Sequence, residues 1–320
     1  MKKVLSLIVA LIMVLGLGQA LAQEQPLVGI SVPYNPTGWV AAVEWSARTT
    51  AERLGLNFMM SVAENENEQA NQIDLMIDQG CEYIVLMPHN DTLEASAQKI
   101  KDAGIVLIDF DRTLGTTEPD YYLAGDNYEI GCLGARYIGE KLGGTGKVVI
   151  TTIPSYGAIF QERVDGCVDT LAAEFPEIEI VGEYAADNAA AETGLALMAD
   201  ILTANPEIDG VYSCDDELSL GMLQAMREAG RVGGDNGVKV MTGCGGWQQW
   251  MQTMDEYKDE IWLSTQTYAP YMMADCIELA YGLINGETYE ARVIIPPACL
   301  DYTNYQQWLD DNFITSEAPF

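Results

Sequence analysis

Histidine is almost absent from this sequence, which has His89 as its single histidine among 320 residues. A metal centre of three histidines is therefore impossible, and a catalytic serine or cysteine would have to pair with His89. His89 lies in Pro88-His89-Asn90-Asp91, a predicted loop before a helix, where a polar loop or capping role is the simpler interpretation. We expect no enzymatic activity, no metal site and no cofactor.

Basic residues are also scarce. The chain has 16 Lys and Arg against 48 Asp and Glu, a net charge of −32. A field of this sign repels nucleic acid and anionic lipid, so nucleic acid is not expected as a partner.

The sequence has no closely spaced cysteine pair. Its seven cysteines are dispersed, so neither a zinc knuckle nor a CxxC redox motif is present. We interpret them as small buried hydrophobic side chains, and their spacing leaves open whether any of them pair. They are Cys81, Cys132, Cys167, Cys214, Cys244, Cys276 and Cys299.

Long apolar runs are absent after residue 22. Lys2 and Lys3 precede an apolar stretch from Val4 to Leu17, and Ala20-Leu21-Ala22 follows as a small-x-small cleavage site. The stretch is shorter than the roughly 20 residues that span a bilayer. We therefore predict a signal peptide at 1–22 and export to the periplasm, or to the extracellular face of a host with a single membrane.

The rest of the chain is long enough for two domains of about 150 residues each. No linker rich in Pro, Gly and Ser divides it, so we expect the backbone to cross between two domains more than once.

Short apolar runs alternate with helical patterns along this remainder. Near-continuous apolar character is typical of strands covered on both faces, and repeated β-α-β units imply parallel sheets. The pattern predicts an α/β fold. The predicted strands are Leu27–Val32, Phe58–Val62, Tyr83–Met87, Ile105–Phe110, Lys147–Thr152, Ile178–Tyr184, Gly210–Ser213, Val238–Thr242 and Ile261–Thr265.

The loops after these strands carry the candidate binding residues, because ligands of open parallel sheets sit beyond the carboxyl ends of the strands. Polar side chains that can make paired hydrogen bonds are Asn35, Asp111, Arg112, Gln161, Asp215 and Gln266. Aromatic rings that can stack on the C–H face of a sugar are Trp39, Phe160 and Trp247. Their shared position predicts a site for a small polar ligand.

The order of motifs resembles the ribose-, galactose- and xylose-type periplasmic binding proteins over nearly all of the chain after residue 22. The motifs are Tyr34-Asn35-Pro36 with Trp39, Ile108-Asp109-Phe110-Asp111-Arg112, Ala124-Gly125-Asp126-Asn127, Gln161-Glu162-Arg163-Val164-Asp165-Gly166, Leu202-Thr203-Ala204-Asn205-Pro206-Glu207, Cys214-Asp215-Asp216-Glu217-Leu218-Ser219-Leu220-Gly221 and Ile284-Asn285-Gly286-Glu287.

This resemblance implies the fold of a type I periplasmic binding protein, with two Rossmann-like lobes of parallel sheets joined by a three-crossing hinge. The N-terminal lobe would comprise 27–125 plus 268–297, and the C-terminal lobe 126–267 plus 298–315. It further implies that Asn35, Asp111 and Arg112 bind ligand hydroxyls from the first lobe, with Trp39 stacking on the ligand. Asp215 and Gln266 would bind the ligand from the second lobe and the hinge.

The function implied is a monomeric solute-binding protein that captures a small sugar or sugar alcohol and delivers it to an ABC-type permease. A sensor that presents the bound ligand to a chemoreceptor or kinase is the alternative. A regulator of the lactose-repressor type shares the core fold, but the signal peptide and the charge of −32 disfavour it.

Two positions depart from the family pattern. Gln161 stands where ribose-like members carry Arg, and Gly245 stands where they carry Asp. Two charged sugar contacts are thus missing, and we expect Trp247 to fill the space. In the alternative interpretation Trp247 packs as core, and Phe160 or Tyr156 is the better stacking candidate.

Overall fold

A computed structural model describes residues 25–35, 38–312, 314–316 and 318–320. The predicted signal peptide lies outside the described residues. Within these ranges, every helix falls short of the length and hydropathy that a membrane span requires. All seven cysteines are unpaired thiols, and all but Cys299 are buried, which agrees with their interpretation as small core side chains.

The described residues form twelve strands and ten α-helices. The strands are β1 (Val28–Pro33), β2 (Phe58–Ala63), β3 (Tyr83–Leu86), β4 (Val106–Phe110), β5 (Tyr121–Gly125), β6 (Thr145–Thr152), β7 (Glu177–Ala185), β8 (Gly210–Tyr212), β9 (Val240–Gly245), β10 (Trp262–Thr267), β11 (Arg292–Ile295) and β12 (Cys299–Leu300). The helices are α1 (Gly38–Leu54), α2 (Glu66–Asp78), α3 (Glu94–Asp102), α4 (Asn127–Leu142), α5 (Ala158–Glu174), α6 (Ala191–Ala204), α7 (Asp216–Glu228), α8 (Gln248–Glu256), α9 (Met273–Ile284) and α10 (Tyr305–Asp311).

The strands form two six-stranded sheets. The first has the order β11-β5-β4-β3-β1-β2 and is parallel throughout. The second has the order β12-β10-β9-β8-β6-β7, and only β12 runs antiparallel to its neighbour. We call each sheet with the helices packed on it the first lobe and the second lobe.

The chain passes between the two sheets three times. It leaves the first sheet after β5, returns after β10 and leaves again after β11. This connectivity confirms the predicted fold class of two parallel α/β lobes with a three-crossing hinge. The exact lobe boundaries stay a prediction.

The first sheet is apolar on both faces. Ile30 and Ile108 pack with Ile277 of α9 on one face, whereas Ile84 and Leu107 face the core formed with α2 and α3. Successive strand residues point to opposite faces, so a strand covered on both sides needs an unbroken apolar run.

Helices α4 and α5 of the second lobe approach each other at two glycines. A Cβ on Gly131 would lie 2.1 Å from the main-chain oxygen of Arg163, and one on Gly166 would lie 2.0 Å from that of Tyr128. Side chains at these positions would separate the helices. The close contact therefore fixes where α5 presents Arg163.

Candidate functional site

Tyr268 lies at the centre of the region where the two lobes meet. It follows β10 at the second crossing, and its hydroxyl donates a hydrogen bond to Oδ1 of Asp111. Its ring stacks on Trp39 with 5.7 Å between centroids. A Cβ on Gly125, at the first crossing, would lie 2.5 Å from this ring. Tyr268 thus joins the hinge to the first lobe.

Asp111 is a buried carboxyl at the carboxyl end of β4, with a left-handed backbone at φ 70°. Its Oδ2 lies 3.6 Å from Nε of Arg112, and its main-chain oxygen accepts a bond of 2.9 Å from the Tyr122 hydroxyl. Burial raises the pKa of Asp111, while the bond from Tyr268 and the charges of Arg112 and Arg163 oppose that rise.

Arg112 ties this carboxyl to the loop after β3. One guanidinium nitrogen donates to the main-chain oxygens of Pro88 at 3.2 Å and His89 at 2.8 Å. The His89 ring bonds to the main-chain oxygen of Ala63 at 2.7 Å, which is a structural role in the same loop.

Trp39 provides the aromatic surface of the first lobe. Its ring lies 6.0 Å from that of Phe110 and nearly parallel to it, at 5°, and its Nε1 donates to the Tyr268 main-chain oxygen at 2.7 Å. These contacts hold the indole at the start of α1. Asn35 is exposed in the loop just before it.

Arg163 is the main site residue that the sequence interpretation missed. It is only 4% exposed; its Nε donates to Asn127 at 2.9 Å and another nitrogen donates to the Cys214 main-chain oxygen at 3.0 Å. The guanidinium lies over the rings of Phe160 and Tyr268, 4.6 and 4.9 Å from their centroids. Arg163 stands inside the motif that begins at Gln161, which was the signal available in the sequence.

Phe160 and Gln161 sit at the first turn of α5 in different environments. Phe160 is buried beneath the Arg163 guanidinium and meets Tyr156 edge to face at 5.1 Å. Gln161 is exposed and donates to Asp165 at 2.8 Å along the same helix. The helix therefore directs Phe160 inward and Gln161 toward solvent.

Two adjacent carboxyls open α7 at the carboxyl end of β8. Asp215 caps the helix by accepting from the main-chain nitrogens of Glu217 and Leu218 at 2.8 and 3.0 Å. Burial raises its pKa to about 6, with Arg163 among the opposing influences. This partly buried carboxyl can accept a hydrogen bond from a ligand hydroxyl or donate one to it, according to its protonation state.

Asp216 fastens the end of β9 to α7. Its Oδ2 accepts from the nitrogens of Gly246 and Trp247, both at 2.8 Å, and from the Thr265 hydroxyl at 2.9 Å. Its Oδ1 is buried and finds no hydrogen-bond partner among the described residues. Burial raises the pKa of Asp216 to about 7.

Gln266 and Trp247 occupy two further positions of the second lobe. Gln266 is fully buried, and its amide nitrogen donates to Ser264 at 3.1 Å and to Cys299 at 3.5 Å inside the lobe. Its Oε1 is buried and has no hydrogen-bond partner among the described residues. Trp247 is half-buried, partly packed on the second-lobe core, and stacks on Phe320 at 6.4 Å.

Side-chain contacts around Tyr268 bring some of the predicted residues together, whereas other predicted residues lie outside this group. Tyr268 connects Trp39, Asp111 and Arg163, and Arg163 rests on Phe160. Among the described contacts, none brings Gln161 or Gln266 into this group. Carboxyls, guanidinium groups and flat aromatic rings from both lobes therefore meet at facing strand ends, a composition suited to a ligand with hydroxyls and a C–H face.

Known proteins resemble this chain in sequence. It is 28% identical over 208 residues to a xylitol-binding protein of Mycolicibacterium smegmatis, covering 64% of this chain and 59% of that relative. It is 27% identical over 215 residues to the ribose import binding protein of Escherichia coli, covering 66% of this chain and 71% of that relative. The match to the first relative thus spans less than two thirds of its length.

The fold is also found in solved structures. An ABC transporter periplasmic solute-binding protein from Actinobacillus succinogenes with bound D-allose superposes with a TM-score of 0.77 at 24% identity, covering 88% of this chain and 99% of that one. The family model described as periplasmic binding protein domain matches residues 28–288. This chain therefore belongs to the periplasmic binding protein domain family.

Proposed function

We propose that this chain is an exported solute-binding protein that captures a small sugar or sugar alcohol between its lobes and delivers it to an ABC-type permease. One observation carries the proposal: Asp111, Arg163 and Trp39, from three distant segments, converge on Tyr268 at the hinge between two parallel sheets. The xylitol-binding and ribose import relatives support the same ligand class. These relatives do not favour a sensing role.

The mechanism proposed is hinge closure. The lobes, taken as 27–125 plus 268–297 and 126–267 plus 298–315, would have open and closed arrangements a few kcal/mol apart. A ligand that touches both lobes favours the closed one, and the permease would recognise that form. The site lies between lobes of one chain, so binding would be 1:1 to a monomer located in the periplasm, or on the outer face of a host with one membrane.

The contacts proposed follow the position of each side chain. Asp111 and Arg112 would bind hydroxyls from the first lobe with Asn35, and Trp39 would stack. Asp215 would bind from the second lobe. Two further aromatic rings would stack on the ligand, Phe160 beneath Arg163 and Trp247 at the end of β9. Gln161 and Gln266 would have to change side-chain conformation to reach a ligand.

Calorimetry against xylitol, D-ribose, D-allose and a wider panel of pentoses, hexoses, polyols and furanoses tests the proposal. We expect one tight ligand with 1:1 stoichiometry. At 100 times its dissociation constant, that ligand should stabilise the fold by about 2.7 kcal/mol, seen as a higher melting temperature. No response to the whole panel would refute the sugar assignment, and binding of an amino acid or peptide would then identify a different ligand class.

A further inference from the structure

After α10 the structure describes residues 312, 314–316 and 318–320, and the last of these ranges lies between the lobes. The side-chain nitrogen of Gln248 lies within hydrogen-bond distance of the main-chain oxygens of Thr315, Ala318 and Phe320, at 3.2, 3.4 and 2.9 Å. Gln248 is the first residue of α8, so the segment is fastened to the second lobe beside the end of β9.

The same main-chain oxygen of Phe320 also reaches the first lobe. It accepts a bond of 2.8 Å from the hydroxyl of Tyr271, which follows the second crossing and meets Trp45 of α1 edge to face at 6.1 Å. Burial raises the pKa of Tyr271 to about 12, so the hydroxyl keeps its proton and donates at neutral pH. Phe320 is therefore held from both sides of the hinge.

The ring of Phe320 fills the space that Gly245 leaves. A Cβ on Gly245 would lie 3.2 Å from Cζ of Phe320, and Gly245 has φ +140°, which favours glycine. On its other side the ring stacks on Trp247 at 6.4 Å and 30°. Gly245 ends β9, so this aromatic pair stands at the carboxyl edge of the second sheet, where ligands of such sheets bind.

We propose that Phe320 is a specificity-determining residue of the ligand cleft, whose ring takes the place of the polar side chain that position 245 lacks. The inference rests on the proposed function and deepens it. A carboxylate there would accept hydroxyls, whereas the Phe320–Trp247 pair stacks on C–H surface. The cleft would therefore select a sugar or polyol that presents a C–H face at this end of the site.

The placement of the ring is testable without a ligand. Phe320→Ala should expose the Trp247 indole, raising acrylamide quenching and shifting emission to the red. In a Trp247→Phe background the same substitution should change neither signal, which separates Trp247 from the other tryptophans. Tyr281→Ala, which removes an exposed aromatic ring from α9, is the matched control. Equal quenching of wild type and Phe320→Ala would overturn the placement.

Selectivity is tested with the panel sugar that binds wild type most tightly. Phe320→Ala should weaken that binding by about three- to tenfold, the value of one aromatic stack. It should also reduce the ratio between the affinity for this sugar and the affinity for sugars that place a hydroxyl beside position 320. Tyr271→Phe removes the hydroxyl that bonds to Phe320 and Gln248 but keeps the Phe320 ring, so it should have a smaller effect. Unchanged affinity and ranking in Phe320→Ala would overturn this inference and leave the proposed function standing. If wild type binds no panel member, the proposed function fails and this inference falls with it.

Discussion

At the scale of single residues, some contacts of the site can be predicted from the sequence and others cannot. Asp111 and Arg112 stand out because they follow a strand as an acid–base pair in a familiar motif. Tyr268 does not stand out, because its ring occupies the space that a side chain at Gly125 would need, and Gly125 lies 143 positions earlier in the chain. Arg163 was visible in its motif, but its burial between two aromatic rings depends on packing across the hinge.

The first residue-scale prediction concerns Asp111. Its φ of 70° makes Asp111→Asn a better test than alanine, because asparagine tolerates the left-handed region. The substitution removes a buried charge that would bind ligand hydroxyls, and such a hydrogen bond is worth about 1.5 to 3 kcal/mol, or roughly ten- to 150-fold in affinity. Calorimetry should show this loss while circular dichroism stays native. If Asp111→Asn and Asn35→Ala both bind like wild type, the first-lobe assignment is wrong.

The second concerns the pH dependence of stability. Burial raises the pKa of Asp216 to about 7 and that of Asp215 to about 6, well above the value of about 3.9 for Asp in an unfolded chain. Between about pH 4 and 7 the folded state therefore binds more protons than the unfolded state. The stability that protonation contributes is fully present below pH 4 and is lost as pH rises through 7.

Asp216→Asn should therefore flatten the fall of the melting temperature between about pH 4 and 7.5, because the buried charge cannot form. Asp215, and Asp275 with its pKa near 6, would still titrate, so the fall should shrink without vanishing. The exposed Asp187→Asn is the control. A slope as steep in Asp216→Asn as in wild type would contradict the burial of this charge.

At the scale of elements, the sequence predicts most strands of both sheets, including the buried β1 and the largely exposed β7. All nine predicted strands are present as β1–β4 and β6–β10, with bounds within three residues of those expected. The three that were missed have weaker signals: β11 alternates exposed and partly buried residues, and β12 has two residues. Strand β5 is buried after its first residue, but it has only five residues and ends in Ala124 and Gly125, so its apolar run is short.

The element-scale prediction is that α4 and α5 tolerate no side chain at position 131. Gly131→Ala places a methyl group against the main-chain oxygen of Arg163, and overpacking of this kind typically costs about 1 to 3 kcal/mol. Urea unfolding should show that loss, and moving α5 should also weaken ligand binding through Arg163. Glu140→Ala, at an exposed position of α4, should change little. Equal stability of the two variants would mean that the helices can separate freely.

At the scale of the whole molecule, the sequence specifies that the chain crosses between lobes but not where the lobes touch. The absence of a linker predicts several crossings, and three are observed. The contacts that join the lobes, Arg163 on Tyr268 and Phe320 on Tyr271, link residues 105 and 49 positions apart. Such pairs depend on the assembled sheets, so no local pattern in the sequence could indicate them.

The net charge of −32 gives the last prediction, which concerns salt. Repulsion among the excess carboxylates opposes the compact state, while ion pairs such as Lys99–Asp74 and Arg53–Glu278 favour it. These pairs are exposed, and exposed pairs contribute only about 0 to 1 kcal/mol each.

Salt shortens the screening length from about 30 Å at 0.01 M to about 10 Å at 0.1 M. It should therefore weaken the long-range repulsion more than the contacts, and the melting temperature at pH 7 should rise between these concentrations. Choline chloride should act as NaCl does if screening is the cause, and a melting temperature that falls with either salt would show that the ion pairs outweigh the repulsion.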